Sequence, residues 1–121
     1  MDWDLITERN LQQFIRLAEL GERPLLQAMC WRHTLGETYL HYRGGRLHLS
    51  QYMPHAAADG VLRQGLQRWH PARFAGVPQR LYALGAGLAI SCSPPTHSTA
   101  ELWLGLHLRQ QTFLEALCRG A

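Results

Sequence analysis

The sequence predicts an α+β domain in which helices pack an antiparallel twisted sheet, with the element order α-β-β-β-α-β-β-α. Three observations carry that expectation. Apolar residues recur at helical spacing in three separated stretches, and two glycine turns join runs that alternate apolar and polar. The 121 residues leave room for one domain, 1–121, of this complexity.

The elements follow in order. Over residues 3 to about 20, Ile6, Leu11, Phe14, Ile15 and Ala18 line one side while Glu8, Arg9, Gln12, Gln13, Arg16 and Glu19 fall between them, the pattern of an amphipathic helix. Gly21 stands where a left-handed cap belongs, and Pro24 bars continuation. Residues 25–33, 38–42 and 46–53 read as strands, the last two joined by Gly44-Gly45, a dipeptide that supplies the positive φ angles of a tight hairpin. In the third strand Leu47, Leu49 and Met53 alternate with His48, Ser50 and Tyr52, so one face is apolar and the other half polar. A second helix is expected over about 56–69 from Ala58, Leu62, Leu66 and Trp69. Gly60 and Gly65 each weaken it by about 1 kcal/mol unless a neighbouring backbone approaches closely there. Residues 70–78 read as a loop, and 80–84 and 88–93 as a hairpin about Gly85-Ala86-Gly87. Ser98 with Glu101 forms a capping box for a last helix whose face carries Leu102, Leu106, Phe113 and Leu117 and which runs to about Cys118.

Composition excludes several classes. Apolar residues are 46% of the chain and charged residues 17%, enough for a packed core without staples. No run approaches the ~20 apolar residues that span a bilayer, and the start of the chain, Met1-Asp2-Trp3-Asp4, lacks the form of a secretory signal. The odd set Cys30, Cys92 and Cys118, with no CxxC spacing, suits a reducing cytoplasm. The net charge of +3 comes from twelve arginines, with no lysine, scattered from Arg9 to Arg119 without a basic run. That scatter speaks against a nucleic-acid tail.

Candidate chemistry is sparse. Cys30 and His33 lie three apart but on opposite faces of a strand, so no metal is expected. Ser50, Ser91, Cys30 and Cys92 are potential nucleophiles with seven histidines available, yet there is no GxSxG elbow, and Gly85 and Gly87 do not extend to GxGxxG because position 90 is Ile90. No catalytic residue and no cofactor are expected. More informative are the large residues Trp3, Phe14, Met29, Trp31, Tyr39, Trp69 and Trp103. One layer of helices covers a single face of a five-stranded sheet, so the other face is left for a partner. A strand edge such as 25–33 suits peptide capture by strand addition.

With this element order, the text of the second half resembles the class I chaperones of bacterial type III secretion, the CesT/SycE-like family, and within it the SycN subgroup. The resemblance runs from Arg46-Leu47-His48-Leu49-Ser50 through the second helix, Leu81-Tyr82-Ala83-Leu84-Gly85 and Leu88-Ala89-Ile90, to Leu106, Gln110, Phe113, Leu114 and Leu117. It implies a dimeric cytoplasmic protein without turnover or cofactor that binds the amino-terminal segment of a secreted protein, the gatekeeper in SycN-like members, and keeps it competent for export. The dimer partner is then a second chaperone of the same fold, YscB-like, or a second copy; neither nucleic acid nor membrane insertion is implied. Carried onto this sequence, Leu62, Leu66, Trp69, Leu81 and Leu84 form the dimer interface. Leu11, Phe14, Ile15, Met29 and Trp31 offer the client surface. Members of that family are commonly acidic, whereas this chain has a sequence pI near 9.1, a departure that an acidic partner would reconcile. The competing readings are a non-enzymatic interaction component of a secretion or phage assembly, a nucleic-acid-binding α+β domain using arginines and aromatics on a sheet, and a small enzyme.

Overall fold

A computed structural model describes residues 3–34, 36–54 and 60–119. Helix α1 (Leu5–Leu17) leads into strands β1 (Ala28–His33), β2 (Gly36–Arg43) and β3 (Arg46–Met53). Helix α2 (Val61–Arg68) and a short 3-10 turn (Pro71–Phe74) follow, then β4 (Arg80–Leu84), β5 (Gly87–Cys92) and helix α3 (Ala100–Cys118). The strands form one antiparallel sheet of order β1-β2-β3-β5-β4, so the expected fold class and element order are both found.

The sheet has one covered face. Met29 opposes Leu40, Leu40 opposes Leu49, Leu49 opposes Cys92, and Ile90 stands between Gln51 and Leu81. This row packs under Leu11, Phe14 and Ile15 of α1 and Leu106, Leu114 and Leu117 of α3, all buried. Burial of each such leucine or phenylalanine is worth about 1.5–3 kcal/mol, and the shared core is what holds α1 against α3 and both against the sheet. Within it runs a chain of polar side chains. Thr38 Oγ1 donates to Gln51 Oε1 at 2.7 Å, the Gln51 amide meets His107 Nδ1, and Gln110 Nε2 donates to Gln79 Oε1 at 2.8 Å and to the Leu49 carbonyl at 3.3 Å. Buried groups of this kind persist because they are bonded to one another.

The turns show where local chemistry decided the structure and where packing did. Gly44 and Gly45 have φ of 59° and 74°, as the β2–β3 hairpin requires. Helix α1 ends earlier than its apolar pattern, and its cap is not Gly21. Glu19, at φ 55°, takes the left-handed position, with Glu19 N–H bonded to the Arg16 carbonyl and Leu20 N–H to the Ile15 carbonyl. The Ser98–Glu101 capping box is not formed either. The N-cap of α3 is Thr99, whose side chain makes no cap bond, and Asn10 of α1 reaches across to accept from the Ala100 N–H at 3.1 Å. Ser98 instead accepts from Trp103 Nε1 at 2.9 Å. One helix thus caps the other, which a local motif cannot anticipate.

In the second helix, Ala58 and its neighbours from 55 to 59 lie outside the described residues, and Gly60 is the N-cap at φ 86° and not an interior residue. Gly65 is interior, and what approaches it closely is side chains and not the neighbouring backbone expected. A Cβ at this buried position would collide with the side chains of Leu81 and Leu117. Helix propensity alone favours alanine by about 1 kcal/mol, whereas overpacking costs about 1–3 kcal/mol. Gly65→Ala is therefore expected to leave the melting temperature at or below that of the parent; a rise would mean that α2 packs loosely on β4.

Candidate functional site

The face of the sheet opposite the helices is uncovered. Strand parity places Cys30, Tyr39, Ser50, Ser91 and Arg80 in one row across it, with His41 and His48 in the row on one side and Glu37, Tyr52, Ala89 and Tyr82 on the other. Tyr39, His41, His48, Ser50, Tyr52 and Tyr82 line a shallow trough of about 690 Å³ on this face. Its far end is built around Tyr52, whose hydroxyl donates to the Leu84 carbonyl at 3.0 Å and whose ring occupies the space a side chain at Gly87 would need. Tyr39, Tyr82 and Leu84 are exposed beside it.

The opposite end is cationic. Arg43 and Arg46 face each other across the β2–β3 hairpin, and His41 and His48 form the next cross-strand pair, with ring centroids 5.9 Å apart. Ser93 Oγ lies 2.8 Å from His48 Nδ1. Partial burial, then the charges of His41, Arg46, Arg43 and Arg80, hold the His48 imidazole below its ordinary range. Between the two ends Glu37 is already engaged, accepting from the Tyr39 hydroxyl at 2.8 Å and lying 3.7 Å from Arg32 Nε. The Cys30 thiol, 3.5 Å from the same carboxylate, is pushed up by burial and stays protonated, as a reactive nucleophile would not. No group of three metal-ligating side chains occurs among the described residues.

The predicted client residues are elsewhere. Leu11, Phe14, Ile15, Met29 and Trp31 are 5% exposed or less and belong to the core of the single chain, so they present no surface to a client. The sequence expectation failed because a helix and a strand each have one apolar stripe, and here both stripes were needed to bury one against the other. The aromatic surplus is consumed the same way, since Trp103 is also buried and Trp3 and Trp69 pack on the core. The β1 backbone does remain an edge. Tyr42 N–H bonds to the Gln27 carbonyl, so alternation turns Ala28, Cys30 and Arg32 outward, and Arg23 Nη1 bonds the Cys30 carbonyl at 2.8 Å while its guanidinium stacks 4.8 Å over Trp31.

The predicted interface residues lie on α2 and β4. Leu66 and Leu84 are 51% and 56% exposed, while Leu62, Trp69 and Leu81 are half-buried against the core. Sequence reasoning left the second face of the sheet for a partner, but missed the composition of that face as a unit. Its signal was present in the polar positions of β3, His48, Ser50 and Tyr52, and in the arginines flanking Gly44-Gly45, but the pairing that brings Arg80 and Tyr82 beside them was not.

A family model described as SsaM matches residues 4–117. The chain is also 57% identical over 119 residues, 98% of both chains, to the secretion system apparatus protein SsaM of Salmonella typhimurium strain LT2. The chain belongs to the SsaM family. Among solved structures, this SsaM-family chain is similar to YbjN from E. coli, provisionally described as a transcription regulator, at 14% identity and TM-score 0.54 over 94% of this chain and 90% of that one. It is similar also to a chain of the HopA1–SchA chaperone–effector complex, at 20% identity and TM-score 0.55 over 96% and 92%. Two proteins of such different description share the fold, so the fold carries no function by itself. These matches give the family as SsaM and do not confirm the expected SycN subgroup. No helix among the described residues of this SsaM-family chain is long and apolar enough to cross a membrane.

Proposed function

We propose that the chain is a non-enzymatic chaperone of a type III secretion system. In the cytoplasm it binds the amino-terminal region of a secreted protein, the gatekeeper in the SycN-like form of the reading, as one half of a dimer. The observation that carries the reading is the end-to-end match to a secretion system apparatus protein. A sheet with one helix-covered face, a β1 strand at its edge and exposed leucines on α2 and β4 supports it, because each supplies a surface for another chain. The client adds along the outward backbone of β1. Leu62, Leu66, Trp69, Leu81 and Leu84 pack against a second chaperone of the same fold, YscB-like and acidic, or against a second copy.

Co-expression with the amino-terminal regions of the proteins exported by the same system, and with an acidic paralogue from the same operon, tests both halves. One of those regions is expected to co-purify and to become protease-resistant. Light scattering is expected to give the mass of a dimer, and Leu66→Arg, at an exposed position, to halve it without loss of helix content. Failure of every exported region to co-purify would overturn the chaperone reading, and an unchanged mass for Leu66→Arg would overturn the interface.

A further inference from the structure

We infer that the open sheet face is a docking site for an acidic amphipathic helix of a partner protein, with apolar side chains seated at the Tyr52–Tyr82 end and carboxylates toward the Arg43–Arg46 end, Arg80 lying between the two. The inference deepens the proposed function, resting on the reading that the chain binds a protein segment and naming the chemistry of what it binds.

Charge complementarity selects the occupant. Among the described residues the open face carries Arg32, Arg43, Arg46 and Arg80 against the one carboxylate of Glu37, which Tyr39 and Arg32 already engage. The ion pairs among the described residues are Arg16–Glu22 and Arg32–Glu37, so Arg43, Arg46 and Arg80 pair with no described carboxylate. Arg43 and Arg46 are direct cross-strand partners, an arrangement of like charges that destabilises a hairpin until an anion lies between them. Guanidinium groups suit carboxylates through paired N–H donors, and His48 with Ser93 extends the polar cradle beside them.

The shape selects a helix. A sheet face offers side chains and no free backbone donors, so an extended peptide laid on it would leave its own amides unpaired, whereas a helix satisfies them internally. Arg46 and Tyr52 are six residues apart on β3, which at roughly 3.3 Å per residue separates the arginine hairpin beyond the trough from the trough's apolar end by about 20 Å. A helix of about 13 residues at 1.5 Å rise spans that length. The small floor residues Ala89 and Ser91 let it settle between Tyr39 and Tyr82.

The test uses the full chain and four fluorescent probes read by anisotropy. Three are fourteen-residue helical peptides with leucine and phenylalanine on one face at one end, and at the other four residues that are all glutamate, all glutamine or all lysine. The fourth is a twelve-nucleotide oligouridine. The glutamate peptide is expected to bind at least about tenfold more tightly than the glutamine peptide, and the lysine peptide weakest. Arg46→Glu with Arg80→Glu, both at exposed positions, is expected to reverse that order, and Tyr82→Ser to weaken all three, with circular dichroism confirming the fold of each variant. Equal binding of the three peptides, or binding of none, would overturn the site. Binding of oligouridine alone with the same arginine dependence would overturn it in favour of a nucleic-acid surface. If the peptide order holds while no exported region co-purifies, the chaperone reading falls and the docking face stands.

Discussion

Phe14→Ala is expected to cost about 3–5 kcal/mol of folding stability, a large part of the 5–15 kcal/mol available to a domain of this kind. Phe14 is completely buried. Its ring meets Trp103 edge-on at 6.3 Å and His107 at 5.7 Å, so it is the side chain through which α1 grips α3. Truncation leaves a void bordered by two large rings and by Leu11 and Ile15, none of which can collapse into it without breaking its own packing. Urea unfolding followed by far-ultraviolet circular dichroism gives the comparison, with Leu66→Ala as the control. At 51% exposure that change is expected to stay within about 0.5 kcal/mol of the parent. A Phe14→Ala protein that unfolds at the same urea concentration as its parent would return Phe14 to the surface, and with it the client role that the sequence alone suggested.

That reversal of roles marks the limit of the sequence. Periodicity located α1, the hairpin about Gly44-Gly45 and the faces of β3, because each depends on residues adjacent in the chain. The 3-10 turn at Pro71–Phe74 was read as loop, since its proline and glycine neighbours are loop signals. Yet Phe74 is fully buried against Phe113, with ring centroids 5.4 Å apart, a contact with a helix far along the chain. The cap of α3 was missed for the same reason, because Asn10 supplies it from another element. Client and interface residues were carried over by position from the resembling family onto apolar stripes, and apolarity cannot say whether a stripe faces the chain's own core or another molecule. Only the register of five strands does, by sending Met29, Leu40, Leu49 and Ile90 to one side and Tyr39, His48, Tyr52 and Tyr82 to the other.

The two faces of the sheet divide stability from recognition. The covered face holds the long apolar rows and the buried polar side chains, and substitutions there act on folding. Among the described residues the open face holds arginines that pair with no carboxylate and tyrosines that no helix covers. A protein that retains cross-strand like charge at a hairpin gives up some hairpin stability, which is understandable where a partner supplies the anion.

Acid is expected to weaken the fold through His107. This residue is 2% exposed, and burial, followed by the nearby His33, lowers its pKa from about 6.5 to about 4. Gln51 fixes the reason in geometry. Its Oε1 accepts from Thr38, so its Nε2 is turned to donate to His107 Nδ1, which must keep its lone pair. A proton on Nδ1 would set two donors against each other in the core. In the unfolded chain the same imidazole takes a proton near pH 6.5, so between about 6.5 and 4 the unfolded state binds more protons than the folded one. The stabilisation from burying a neutral His107 is full above pH 6.5 and falls as pH drops, by up to about 1.4 kcal/mol per unit and about 3 kcal/mol in all by pH 4. The chain holds six other histidines, so the measurement is a difference. Unfolding free energies at pH 7.5, 6, 5 and 4 are compared for the parent and for His107→Gln, which keeps a polar partner for Gln51 but carries no titrating group. The parent is expected to lose about 3 kcal/mol more than the variant across the series. Parallel curves would place His107 in contact with solvent and its proton outside the core.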